Sequence, residues 1–248
     1  MAGHSKWANI KHRKAAQDAK RGKLYTRLIR DLTVSARMGG GVIDDNPRLR
    51  TVVDKALAAN MPRDTIERAI KRGAGGLDAD ALQEITYEGY APGGIAVLVE
   101  AMTDNRNRTA ADVRYAFSHH GGNLGTDGSV SYLFRKRGIL LFRPGTDEGR
   151  VMEVALAAGA EDLQSDEDGS LSVYASPENF DVVRKSLATQ GLLADDAEVT
   201  MVPTMYAACA GEVAERGMKL LEALEELDDV QNVFHNGEFP EEMLARAG

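Results

Sequence analysis

The apolar residues of this chain change period once, and that change limits what it can fold into. Up to Gly73 they recur three and four residues apart, as on one face of a helix. Beyond the Gly73-Ala-Gly-Gly76 stretch, short apolar runs alternate with helical segments, so a helical unit is followed by mixed α/β structure. Charge divides at the same place. Residues 1–76 carry 17 basic and 7 acidic residues, while 77–248 carry 13 basic and 31 acidic. Such asymmetry points to one part that meets a polyanion and another that does something else.

The cations concentrate further at the start. Residues 1–37 hold ten Lys or Arg against Asp18 and Asp31, within a chain whose net charge is −8. Lysines and arginines displace condensed counterions from phosphates, so a nucleic acid is the expected partner. Residues 1–16 lack apolar periodicity and read as an extended or fraying arm carrying Lys6, Trp7, Lys11, His12, Arg13 and Lys14. A helix is expected from about Gln17. Around it, Lys20, Lys23, Arg27, Arg30 and Arg37 gather opposite Leu24, Tyr25, Leu28, Ile29, Leu32 and Ala36, with Arg21 near the apolar side. Trp7 and His12 could stack on exposed bases, or Trp7 could anchor a core.

Gly39-Gly40-Gly41 ends this helix. Asn46-Pro47 reads as N-cap and first residue of the next, with Leu49, Val52, Val53, Ala56 and Leu57 facing inward. A third helix starts at Pro62 and stops at Gly73. After the boundary, strands are expected at 82–87, 95–99 and 129–134, with a helix over 107–120. Arg135-Lys136-Arg137 marks a second boundary. Beyond it, strand 138–143, helix 147–158, strands 161–165 and 170–175, helix 177–190 and strand 196–202 follow in β-α-β-β-α-β order, the ferredoxin-like arrangement. A helix at 211–227 and a strand near 230–235 close the chain. The expected fold is therefore α+β. It comprises a basic helical domain, 1–76, and a discontinuous α/β domain, 77–134 plus 204–248, with a ferredoxin-like domain, 135–203, inserted in it.

Several function classes lack their residues. No apolar run approaches the roughly 20 residues of a membrane span, and no apolar stretch follows the first cations as in a secretory signal. Cys209 is the single cysteine, so no intrachain disulfide can form, which fits a cytoplasmic location. There is no Gly-x-Ser-x-Gly, no His-Glu-x-x-His and no glycine-rich loop followed by Lys-Ser or Lys-Thr. His119-His120 lacks partners at metal spacing, and Asp166-Glu167-Asp168-Gly169 suits a polar hairpin better than a calcium loop. No catalytic residue, metal, cofactor or small-molecule substrate is expected. Asp104-Asn-Arg-Asn-Arg-Thr109 has two readings: Arg106 and Arg108 meet RNA or a partner, or Asp104 or Asn107 caps the helix while the arginines form surface ion pairs. The acidic run Glu222, Glu225, Glu226, Asp228 and Asp229 reads as a solvated helix face.

Four stretches then carry a resemblance: GHSKWANIKHRK at the start, DAKRGK at 18–23, EGYAPGGIAVLVEAMTDNRNRTAADVR at 88–114, and GGNLG with GSVSYLF within 121–134. Over essentially its full length the chain resembles the YebC family. The resemblance implies a cytosolic protein with a helical N-terminal domain and two α/β domains, working on gene expression by binding DNA or ribosomal RNA. The family is widely described as probable transcriptional regulators, and its mitochondrial relative as a translational activator. Action at the ribosome, relieving stalls at proline runs, is the expected role; regulation of transcription at promoter DNA is the alternative. No recognition-helix set, RNP aromatic motif or C₂H₂ spacing is present, which favours reading of backbone and shape.

Overall fold

The computed structural model describes residues 21–75, 82–240 and 243. The expected arm and the start of the first helix lie outside them. Among the described residues three helices come first: α1 (Arg21–Gly39), α2 (Pro47–Ala58) and α3 (Arg63–Ala74). Leu28, Leu32 and Ala36 of α1 are buried with Leu49, Val52, Val53 and Ala56 of α2 and Ile66 and Ala69 of α3, as the apolar spacing requires. Asn46 joins the first two helices. Its Oδ1 accepts from Leu49 N at 3.0 Å, while its Nδ2 donates to Ser35 O at 2.8 Å and Gly40 O at 2.9 Å. One amide thus satisfies an orphan donor of α2 and carbonyls at the end of α1.

Two expectations in this bundle need correction. Leu57 is exposed. Gly73 does not stop α3 but lies inside it, where a Cβ would sit 2.1 Å from the Thr33 carbonyl oxygen of α1. The glycine is there for close helix approach, a requirement that leaves the same letter in the sequence as a stop signal.

Two antiparallel sheets follow. The first is built from the hairpin β1 (Gln83–Ala91) and β2 (Ile95–Thr103), the short β3 (Asn123–Leu124) and β9 (Val230–His235), in the order β3-β1-β2-β9. Helices α4 (Arg106–His119) and α7 (Gly211–Glu226) cover one face, burying Phe117, Leu220 and Leu224 against Val97 and Val99. The second sheet comprises β4 (Phe134–Phe142), β5 (Asp162–Ser165), β6 (Leu171–Ala175) and β7 (Asp196–Pro203), ordered β5-β6-β4-β7. With α5 (Glu148–Ala157) and α6 (Phe180–Thr189) it makes the ferredoxin-like unit, closed around Leu140, Phe142, Val151, Val173, Val183 and Leu187. It lies in sequence between strands of the first sheet. A two-stranded parallel ribbon, β8 (Ala207–Ala208) with β10 (Gly237–Glu238), flanks α7 and β9. The class is α+β, a three-helix unit followed by two α/β units.

The expected strand over 129–134 is absent. Ser131–Leu133 forms a 3₁₀ turn, and Phe134 already belongs to β4. The cause is the Glu88 carboxylate, 7% exposed, which accepts from Gly128 N at 2.8 Å, Val130 N at 2.7 Å and Ser131 N at 2.8 Å. Backbone N–H groups converging on one carboxylate cannot also point sideways into a ladder. Arg135, Lys136 and Arg137 lie in the first half of β4, paired with Val202, Met201 and Thr200 of β7.

Candidate nucleic-acid interface

Three of the α1 cations turn toward the body of the protein rather than open solvent. Lys23 Nζ donates to Glu226 O at 2.6 Å, Arg27 donates to Glu225 O, and Arg30 donates to Asp228 O. All three acceptors are backbone carbonyls at or just past the C-terminus of α7. A helix ends with unpaired carbonyls and roughly half a negative charge, and the last turn of α7 contains no basic residue of its own. Cations spaced i, i+4, i+7 along α1 supply that charge from ~200 residues away. Burial lowers the pKa of Arg27, with Glu225 and Asp31 pulling the other way.

Asp229 sits just beyond. Far from being a solvated helix position, it is buried. Its Oδ2 accepts from Thr109 Oγ1 at 2.7 Å, Arg108 at 2.8 Å and Thr103 Oγ1 at 3.1 Å, and Arg30 lies 3.4 Å from Oδ1. Burial pushes this carboxyl up, but the bonds from Arg108, Thr109 and Thr103 outweigh it and hold the pKa below the ordinary value. Arg108 also pairs with Asp104 at 2.9 Å. The cap of α4 is neither Asp104 nor Asn107 but Asn105, whose Oδ1 accepts from Arg108 N at 3.1 Å. Arg106 is exposed on the first turn of that helix.

Of the residues expected to meet nucleic acid, the structure thus joins Lys23, Arg27, Arg30 and Arg108 around the end of α7. Lys6, Trp7, Lys11, His12, Arg13, Lys14 and Lys20, and the side chain of Arg21, lie outside the described residues. Cations that sequence reasoning passed over are exposed on the outer helices: Arg50 and Lys55 on α2, and Arg63, Arg68, Lys71 and Arg72 on α3. Their signal was available, since they occupy the polar positions of two amphipathic helices. Asp54, Asp64 and Glu67 are interspersed among them.

Two cavities separate the helices from the body. A cleft of about 870 Å³ is lined by Arg30, Arg72, Asp104, Arg108, Asp112 and Asp229. A second, of about 410 Å³, lies between Asp31 and Lys55 of the helices, Glu84 and Glu100 of the first sheet, and Lys136 of the second. Among the described residues no three His, Cys, Asp or Glu side chains could hold a metal, and no helix is long and apolar enough to cross a membrane. His119 and His120 end α4, with His119 stacked on Tyr115. Asp166–Gly169 turns the β5–β6 hairpin, where Asp168 Oδ1 accepts from Ser170 N at 2.9 Å.

Asp31 gives this junction a pH dependence. Burial, reinforced by Glu84 and Glu100, raises its pKa from 3.8 to about 6 against the opposing pull of Lys55 and Arg48. The folded chain therefore binds more protons here than the unfolded chain between about pH 4 and 6. Stability falls as pH rises through that window and stays lower above it, by at most about 3 kcal/mol. Asp31→Asn is expected to raise the denaturation midpoint at pH 7.5 and to flatten the slope between pH 4 and 6. An unchanged slope in denaturant titrations across that range would reject this.

The TACO1/YebC N-terminal domain matches residues 5–76, and the TACO1/YebC second and third domains match residues 82–237. The chain belongs to the TACO1/YebC family. Transcriptional regulatory protein PmpR of Pseudomonas aeruginosa is 59% identical over 248 residues, covering 100% of both chains. A probable transcriptional regulatory protein of Idiomarina loihiensis is 60% identical over 246 residues, covering 99% of each. The crystal structure of a conserved hypothetical protein from Aquifex aeolicus superposes with a TM-score of 0.76 at 47% identity, covering 90% of this chain and 92% of that one.

Proposed function

We propose that this TACO1/YebC family member is a non-enzymatic, cytoplasmic regulator of gene expression that binds nucleic acid through its basic helical unit, with ribosomal RNA as the target. The observation that carries this reading is the confinement of net positive charge to residues 1–76 of an otherwise acidic chain. On this reading residues 1–76 form the binding domain. Residues 77–134 with 204–248, and the inserted 135–203, position it, and their excess of carboxylates repels phosphate from every other face. Lys6, Lys11, Arg13, Lys14 and Lys20 near the start of the chain and Arg63, Arg68, Lys71 and Arg72 of α3 neutralise phosphates. The carboxylates of Asp64 and Glu67 among the α3 cations suit shape and backbone recognition better than insertion into a DNA groove.

If about six phosphates are engaged, log affinity should fall against log salt with a slope on the order of −4 to −5. Co-sedimentation with purified ribosomes over a salt series measures it, and association insensitive to salt would refute the proposal. The names of the relatives favour a second reading, regulation of transcription at promoter DNA. Protection of a defined promoter site without any ribosome association would select it.

A further inference from the structure

The end of α7 occupies the place where phosphate oxygens would bind α1. Lys23, Arg27 and Arg30 span ~10 Å of one helix face, and each is held by a carbonyl oxygen of Glu226, Glu225 or Asp228. A phosphodiester strand presents the same acceptor, oxygen, with a full negative charge per unit, where a helix C-terminus offers about half a charge in total. We propose that the α7 C-terminus is a built-in competitor of nucleic acid for this α1 face, so that the helical unit must swing off the body to bind fully. The proposal rests on the nucleic-acid reading above and adds the regulation of that site.

The rest of the junction suits release. Helices α1, α2 and α3 bury their apolar residues against one another, in a core separate from those of both sheets. Their contacts with the body include long polar side chains: the three above, Arg30 with Asp229, Arg37 donating to Leu82 O at 2.6 Å, and Arg48 with Glu84. Two cavities lie between the units. An interface made of polar side chains meeting carbonyls and carboxylates has little apolar area to lose on opening, and phosphate can replace its acceptors one for one.

The test fixes the junction shut. Thr26 and Asp228 line one small pocket with Lys23, Arg27 and Leu227, and neither side chain supplies one of the three carbonyl contacts. The full-length double variant Thr26→Cys, Asp228→Cys is joined with a short bis-maleimide, the native Cys209 being buried. Binding of 20-base-pair duplex RNA, and of DNA of the same sequence, is then compared with the uncrosslinked variant at low salt. The crosslinked protein should bind at least tenfold more weakly, and added duplex should slow crosslinking. Equal binding before and after crosslinking would overturn the competition while leaving the nucleic-acid reading intact. No binding by the uncrosslinked variant would overturn that reading and the competition with it. Failure of the crosslink to form would show that α1 does not rest on α7 in solution, which also overturns the proposal.

Discussion

Replacing Glu88 with glutamine is expected to destabilise the chain about as much as replacing it with alanine. Oε2 accepts from Val130 N and Ser131 N, and Oε1 from Gly128 N. Whichever way a glutamine amide is turned, its NH₂ faces at least one backbone N–H and strands it in a buried site. Buried charge-assisted bonds lost in this way cost roughly 3–5 kcal/mol together. For a chain of this size that lowers the melting temperature on the order of 10 °C. Burial pushes the Glu88 carboxyl up, yet its backbone bonds hold the pKa below the ordinary value. Its contribution is therefore complete above the ordinary carboxylate range and fades as pH falls towards the depressed pKa. Thermal melts of both variants decide the matter; a glutamine variant close to wild type would show that the loop finds other acceptors.

Asp229→Ala carries the second large effect, and Asp228→Ala is its control. Removing the Asp229 carboxylate leaves two threonine hydroxyls and Arg108 without their shared acceptor. Arg108 is 47% exposed and recovers part of its loss from water, so the expected cost is about 2–3 kcal/mol rather than that of a fully buried pair. Asp228 meets α1 through its backbone carbonyl, which alanine retains, so that variant should stay within about 0.5 kcal/mol of the parent. The Asp229 contribution also fades as acid protonates the carboxylate, because its folded pKa lies below the ordinary value. Denaturant midpoints of the pair measure the difference; equal midpoints would show that the Asp229 cluster does not hold β9 against α4.

The local grammar of the fold was legible in the residues. The two faces of α1, the Asn46-Pro47 start of α2 and the β-α-β-β-α-β order each follow from spacing or a cap, which are properties of neighbouring residues. What escaped was set by distant ones. Gly73 looks the same whether it ends a helix or lets Thr33 of another helix come close. The 129–134 stretch reads as strand-forming until Glu88, about 40 residues earlier, draws the N–H groups at its start inward. A cationic stripe announces the sign of its partner and nothing more. That Lys23, Arg27 and Arg30 meet carbonyls of α7 depends on a helix end some 200 residues away, because unpaired carbonyls leave no trace in side-chain composition.

The pairing of β2 with β9 also bears on how the chain is made. Ala101 lies opposite Val230, and everything between them must be synthesised before the first sheet can close. At ~5–20 residues per second that interval lasts roughly 6–25 s. Through it the emerging β1–β2 hairpin carries a bare edge of apolar residues, Val97 to Val99, of the kind that invites pairing with another nascent chain. The four-stranded sheet encoded in between contains all its own strands, so it can finish first. The part of the molecule begun earlier is completed last, and the quiet passage of that unpaired edge through translation is a condition for reaching the native state.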